Sequence, residues 1–176
     1  MSFTPFPSDQ DPGSDPGTAI AIEDAGSVTL PNGIPVVGYG IADGLIDAPG
    51  DSDWFALDLA AGGNYVFEVL GASNGGGDLA DPVLTVYDTY GNALAQNDDF
   101  LSMGPDGFPK VDLDPLLDFT APASGTYYIG VSAYGDATGS YTAVVTSDPG
   151  TITLPVYNGP PDDPVGAAWL FDLPSG

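Results

Sequence analysis

The sequence predicts an all-β fold, specifically an antiparallel β-sandwich, from three observations. Asp53–Leu59 and Tyr65–Leu70 alternate apolar side chains with a period of two residues, which is typical of strands that bury one face. Other short apolar runs are separated by turns rich in Gly, Asn and Asp. No stretch keeps a helical period for more than about two turns. The length of 176 residues suits one domain with extensions.

The N-terminal segment Met1–Gly17 is rich in Pro, Asp, Ser and Gly and lacks an apolar period, so we expect an arm there. We expect the sandwich to occupy residues 18–146 and a C-terminal strand with a Pro-rich tail to occupy residues 147–176. The first expected strands are Thr18–Ile22, Ser27–Leu30 and the glycine-interrupted region Val36–Ile46.

The central strands follow from the alternation. In Asp53–Leu59 one face carries Phe55, Leu57 and Leu59, and in Tyr65–Leu70 one face carries Tyr65, Phe67 and Val69. Val83–Asp88 is apolar on both faces, which suits a strand between two packed sheets. Phe100–Lys110 is expected to be a long loop. The remaining expected strands are Leu116–Phe119, Thr126–Tyr134 and Ser140–Thr146.

The charge balance excludes several classes of function. Lys plus Arg is 1 against 25 Asp plus Glu, which gives a formal net charge of −24. Without a basic patch the chain cannot displace phosphate counterions, so we expect no nucleic-acid partner and no binding to an anionic membrane. No apolar run approaches the roughly 20 residues of a transmembrane helix, so no membrane insertion is expected.

The absence of His and Cys limits catalysis. Ser-His-Asp and Cys-His triads are impossible, and so are ordinary zinc sites. A pair of carboxylates that hydrolyses glycosides stays open as an alternative, since such a pair needs only Asp or Glu.

The acidic residues favour a hard cation. They are nearly all Asp, the shorter acid that is common in turns and metal-binding loops, and calcium takes 6–8 oxygen ligands from such loops. A first cluster of candidate metal ligands follows successive strands: Asp78, Asp81, Asn97, Asp98, Asp99, Asp112 and Asp114. A second, weaker cluster consists of Asp51, Asp53, Glu23 and Asp24. The alternative is that these residues only form Asx-turns and solvated loops.

Aromatic residues allow two interpretations. Trp54, Tyr128, Tyr134 and Tyr141 either form a surface on which a ligand stacks, or are core and strand-covering residues with satisfied hydroxyl groups. The second interpretation is the more common for tyrosines in strands.

A set of motifs in a fixed order resembles the bacterial pre-peptidase C-terminal (PPC) domain over roughly Val36–Thr146. The motifs are Gly50-Asp-Ser-Asp-Trp-Phe55, Leu59-Ala-Ala-Gly62 with Tyr65, Leu84-x-x-Tyr87-Asp88 with Gly91-Asn92, Asn97-Asp-Asp99, Phe119-Thr-Ala-Pro122, Ser124-Gly-Thr-Tyr-Tyr-Ile129 and Gly135-Asp-x-x-Gly139-x-Tyr141. The resemblance implies a jelly-roll-like β-sandwich and a non-catalytic accessory module of secreted proteases and RTX-type adhesins. It also implies calcium binding, with the acidic loop of the family carried over to Asn97, Asp98, Asp99 and Asp114.

One loop departs from the family pattern. Phe100–Val111 is longer than the usual glycine-rich run, and we expect it to contribute to a ligand-binding surface. The candidate ligand-binding residues are Phe100, Phe108, Tyr134 and Asp136. The resemblance thus implies a secreted or cell-surface bacterial module that binds a peptide, protein or glycan beside neighbouring domains of a larger chain. The alternative is a calcium-rigidified spacer of a large adhesin.

Overall fold

The structure is a computed structural model that describes residues 12–22, 28–29, 35–36, 39–103 and 107–148. Within these residues every regular element is a β-strand, as the alternation predicts. The strands are β1 (Ile20–Ala21), β2 (Val28–Thr29), β3 (Pro35–Val36), β4 (Tyr39–Ile46), β5 (Ser52–Leu59), β6 (Asn64–Leu70), β7 (Pro82–Tyr87), β8 (Ala93–Asn97), β9 (Phe100–Met103), β10 (Pro109–Asp112), β11 (Leu116–Thr120), β12 (Gly125–Ala133) and β13 (Gly139–Asp148).

Two sheets form the sandwich. One has the strand order β1-β5-β12-β7-β8 and the other the order β11-β6-β13-β4. All pairs within them are antiparallel except β1, which pairs in parallel with β5 through Ile20 and Phe55. Two small sheets, β2-β3 and β9-β10, lie outside them. The antiparallel all-β sandwich predicted from the sequence is confirmed.

The core lies between the two sheets and is built by the alternating residues. Phe55, Phe67, Leu84 and Ile129 are at most 1% exposed. Leu57 and Leu59 join Phe55 in the same hydrophobic cluster, and Val69 joins Phe67, so the inward faces predicted for β5 and β6 are confirmed.

Trp54 lies on the opposite face of β5 and is nevertheless 7% exposed. Its ring stacks on Tyr87 with ring centroids 3.9 Å apart, above Gly130 on the strand between them. The described part of the N-terminal arm runs beside it, where the Trp54 amide donates a hydrogen bond of 2.9 Å to the Gly13 carbonyl. Trp54 is thus a covering residue of the sheet, in line with the more common interpretation of these aromatic residues.

One element differs from the sequence prediction. The segment expected to be the long loop Phe100–Lys110 contains β9 and β10, which pair as an antiparallel hairpin. Gly107 has a φ of 79°, a conformation open to glycine, and it provides part of the turn before β10. Phe100 and Leu101 of this segment therefore belong to a strand, whereas Phe108 precedes β10.

Several predicted features lie outside the described residues. These are the arm before Pro12, the acids Glu23 and Asp24, and the tail after Asp148. Among the residues that the structure does describe, no helix is long and apolar enough to cross a membrane.

Candidate functional site

The described acidic side chains concentrate at one end of the sandwich, which we call the acidic end. There β4, β6, β8 and β12 finish and β5, β7, β11 and β13 begin, as the pairs Ile46 with Gly139 and Pro82 with Ala133 show. Its loops and strand ends carry Asp47, Asp51, Asp53, Asp78, Asp81, Asp98, Asp99, Asp112, Asp114 and Asp136. Asp58 and Asp88 lie towards the opposite end. The charge is therefore distributed asymmetrically along the sandwich.

One group at this end forms where β7 begins and β8 ends. The register pairs Leu84 with Asn97, which brings Asp81 close to Asp98 and Asp99. Desolvation, followed by the charges of Asp99 and Asp98, raises the pKa of Asp81. The Asn97 Oδ1 atom is buried and has no hydrogen-bond partner. Asp81, Asp98 and Asp99 thus form a group of unfavourable like charge, and Asn97 lies next to this group along the chain.

A second group forms at the base of the β9–β10 hairpin, where Asp112 pairs with Phe100. Asp112 and Asp114 are 7% and 2% exposed. The Asp114 Oδ2 atom accepts hydrogen bonds of 2.9 Å from the amides of Gly71 and Asn74, while its Oδ1 atom is buried without a hydrogen-bond partner. The Asp112 Oδ1 atom accepts the Asp114 amide at 3.2 Å. Asp114 therefore fastens the loop that follows β6.

Glu68 belongs to this second group although it lies on the neighbouring strand β6. Burial, with smaller contributions from the charges of Asp114 and Asp112, raises the pKa of Glu68 to about 7. Desolvation is also the main cause that raises the pKa of Asp114, against the lowering effect of the Gly71 and Asn74 amides. Glu68 could not be predicted from the sequence, because Asp112 and Asp114 lie more than 40 residues further along the chain and approach it only in the folded protein.

The first group offers the kinds of oxygen atom that calcium prefers, but its carboxylates are too far apart to surround one ion. Carboxylate, amide and loop carbonyl oxygens are the ligands that calcium prefers. Among the described residues, however, no three acidic side chains lie close enough together to hold a metal ion. A cation here requires amide or carbonyl oxygens, water, or a small rearrangement of the Asn97–Asp99 loop.

The described members of the weaker cluster have other contacts. The Asp51 carboxylate accepts the backbone amides of Asp47 and Ser52 at 3.2 and 2.7 Å. Asp53 is fully buried, and its Oδ2 atom accepts a 2.6 Å hydrogen bond from the Tyr141 hydroxyl on the other sheet. A Cβ atom at Gly44 would overlap the Tyr141 ring, so glycine allows this bridge between the sheets.

The candidate ligand-binding residues lie at the acidic end but differ in exposure. Phe108 and Tyr134 are 69% and 67% exposed, and Asp136 is exposed in the loop between β12 and β13. Phe100 is only half-buried on the face of the hairpin that also carries Asp112. Sequence reasoning missed the exposed apolar residues Leu101 and Val111, which the expected loop concealed.

Two solved structures are similar to parts of this chain. The structures that resemble the chain include a periplasmic inhibitor of g-type lysozyme, PliG from Aeromonas hydrophila. It has 16% identity and a TM-score of 0.48, and the match covers 73% of this chain and 95% of that one. The pre-peptidase C-terminal domain of collagenase from Bacillus anthracis has 17% identity and a TM-score of 0.40, with coverage of 58% and 86%.

A family model gives the more specific result. No curated protein matches the chain. The model of the bacterial pre-peptidase C-terminal domain matches residues 51–133, which run from the turn before β5 to the end of β12. These residues include the Asn97–Asp99 loop and the hairpin β9–β10. Residues 51–133 are therefore similar to the bacterial pre-peptidase C-terminal domain.

Proposed function

We propose that this protein is a non-catalytic, calcium-binding accessory module of a secreted or cell-surface bacterial protein, and that it binds a peptide, protein or glycan. The PPC match supports the accessory role, because domains of this family accompany secreted proteases and adhesins. The same match supports an extracytoplasmic location.

The observation that carries the calcium proposal is the group of carboxylates Asp81, Asp98 and Asp99, with Asn97 next to it along the chain. Desolvation, followed by the charges of Asp99 and Asp98, raises the pKa of Asp81, and the Asn97 Oδ1 atom is buried without a hydrogen-bond partner. A buried polar atom without a partner costs free energy, and a cation would satisfy it. Asp112 and Asp114 stand next to this group through the hairpin base and are candidates for further ligands.

Bound calcium would supply positive charge that offsets the mutual repulsion of these carboxylates. The protein residues then fix the loops: Asn97–Asp99 sets the start of β9, and Asp114 holds the loop after β6 through Gly71 and Asn74. Extracellular modules typically bind calcium with a Kd of about 10⁻⁴–10⁻³ M. The loops of the acidic end would accordingly be ordered at extracellular calcium concentrations and less ordered at the lower concentrations inside a cell.

Thermal unfolding tests this proposal. At roughly 100-fold excess over Kd, one ion stabilises the native state by about 2.7 kcal/mol, which raises Tm by roughly 5–10 °C. We expect this rise in calcium but not in magnesium, relative to excess chelator. Asp98→Ala and Asp99→Ala should reduce it, whereas Asp58→Ala towards the opposite end should not. An equal response of all three variants would rule out the site.

The first alternative is a calcium-rigidified spacer. It shows the same rise in Tm with calcium but binds no separate peptide, protein or glycan.

The second alternative is a carboxylate-dependent hydrolase. One observation favours it, the raised pKa values of Glu68 and Asp114. Asp112 and Asp114 are nearly inaccessible, however, and Asp114 already accepts two backbone amides. We therefore assign that group a structural role.

A further inference from the structure

The β9–β10 hairpin presents two different faces. Phe100 pairs with Asp112 on one face, where Asp112 is buried and Phe100 is half-buried. Leu101 pairs with Val111 on the other face, and these side chains are 65% and 53% exposed. Leu113, just beyond β10, is 40% exposed. The hairpin therefore packs its first face onto the protein and turns an apolar face to solvent.

This apolar face is not covered by the two large sheets. The hairpin forms its own two-stranded sheet, separate from both of them. An exposed cross-strand apolar pair on a hairpin outside the large sheets is a candidate interaction surface.

The charges around the apolar face indicate which charge a binding partner should carry. Asp98 and Asp99 are exposed immediately before β9, and Asp136 is exposed at the same end of the sandwich. The chain as a whole carries a formal charge of −24, and its single basic residue, Lys110, lies next to Val111 in β10. An acidic partner would be repelled, whereas a cationic partner would be attracted before contact and oriented towards this end.

We propose that the outward face of the β9–β10 hairpin, formed by Leu101, Val111 and Leu113, docks a cationic protein segment that carries apolar side chains. This inference rests on the proposed function as a binding module, and it names the chemistry of the partner. Apolar contacts on the hairpin provide the affinity, and the surrounding carboxylates provide the rate and the preference for positive charge.

The test uses the full chain and a fluorescent synthetic peptide of alternating Leu and Lys, with binding measured by anisotropy. The double variant Leu101→Glu/Val111→Glu removes the apolar face and adds two negative charges. We expect it to bind at least tenfold more weakly than the original chain. Long-range electrostatics alone predicts the opposite, tighter binding, so an affinity equal to or above that of the original chain would overturn the proposal.

A matched control separates the site from the overall charge. Leu94 on β8 is 43% exposed and lies at the start of its strand, towards the end of the sandwich opposite the hairpin. Leu94→Glu should leave peptide affinity within about twofold. A peptide of alternating Leu and Glu should not bind the original chain. Binding of both peptides alike, or self-association of the chain in place of peptide binding, would contradict a cationic partner.

The outcome is independent of the calcium test. The double variant keeps Asp98 and Asp99, so its calcium-dependent rise in Tm should match that of the original chain and also shows that it folds. Loss of peptide binding with a preserved calcium response supports the hairpin face. Undiminished peptide binding by this folded variant refutes the hairpin proposal alone, whereas absence of any calcium response refutes the calcium site alone.

Discussion

Single carboxylates in this protein are buried without an arginine or histidine to balance them, because the chain has one basic residue and no His. Asp53 accepts the hydroxyl of Tyr141. Asp114 accepts two backbone amides. Glu68 is stabilised differently, since its raised pKa keeps a proton on the carboxyl group up to about pH 7. Asp53 and Asp114 thus depend on specific hydrogen-bond donors, whereas Glu68 depends on its own protonation.

Removing the hydroxyl of Tyr141 tests the bridge between the sheets. Tyr141→Phe leaves the buried Asp53 carboxylate with one donor fewer, which should lower the free energy of unfolding by about 1–3 kcal/mol. Tyr127→Phe removes the part-buried hydrogen bonds that its hydroxyl makes with the carbonyl and the amide of Ala123, and it is the control in which no charged partner is left behind. A double-mutant cycle with Asp53→Ala, measured by urea unfolding, should show coupling; strictly additive losses would contradict the bridge.

Glu68 makes stability depend on pH in a defined direction. Its folded-state pKa of about 7 lies above the ordinary value of 4.5, so the native state holds a proton that the unfolded state releases. This contribution to stability is full below about pH 4.5 and is lost as pH rises towards about 7. Above that pH, Glu68→Gln should therefore be more stable than the original chain, by at most about 3 kcal/mol.

The measurement is urea unfolding in chelator at about pH 8 and about pH 4. The gain from Glu68→Gln should appear at the higher pH and nearly vanish at the lower one. Asp58→Asn serves as the control, since Asp58 is exposed and far from this group. A gain of equal size at both pH values would show that proton binding by Glu68 is not its origin.

Among the elements, the central strands were predictable and the hairpin was not. The alternation in β5 and β6 is a local pattern that survives folding because each strand has one buried face. The strands β9 and β10 have four residues each, and the segment between them contains Pro, Asp and Gly. Such short runs carry no periodicity strong enough to distinguish a hairpin from a loop.

The candidate site was predictable only in part, for a related reason. The clustering of Asp98 and Asp99 is visible along the chain, whereas their proximity to Asp81 depends on the register of β7 and β8. Sequence also cannot show that Asp114 uses one oxygen to hold Gly71 and Asn74. The hydrogen bonds of Asp114 join residues 43 and 40 positions apart in the sequence, so they can be seen only in the folded chain.

Strand β12 offers a test at the level of the sheet. Gly130 lies between Trp54 and Tyr87, and a Cβ atom there would stand 2.8 Å from Tyr87 Cε2 and 3.1 Å from Trp54 Nε1. Gly130→Ala should push the stacked rings apart and destabilise the fold by about 1–3 kcal/mol in urea unfolding. Ser132→Ala, two positions along the same strand, should cost less; an equal or smaller loss for Gly130→Ala would show that the rings adjust freely.

At the scale of the whole molecule, the formal charge of −24 opposes the compact state. Raising sodium chloride from about 0.1 M to about 1 M shortens the screening length from about 10 to about 3 Å. In chelator, this change should raise Tm, because repulsion within the acidic end is weakened. The check is calorimetry at fixed pH, and a constant or falling Tm would mean that self-repulsion contributes little to stability.

The crowding of carboxylates at one end also gives the molecule a permanent electric dipole along the long axis of its strands. Two copies that approach with their acidic ends facing each other repel, and copies aligned side by side in the same sense repel as well. Divalent ions bound at the acidic end would reduce this dipole and weaken the repulsion between copies.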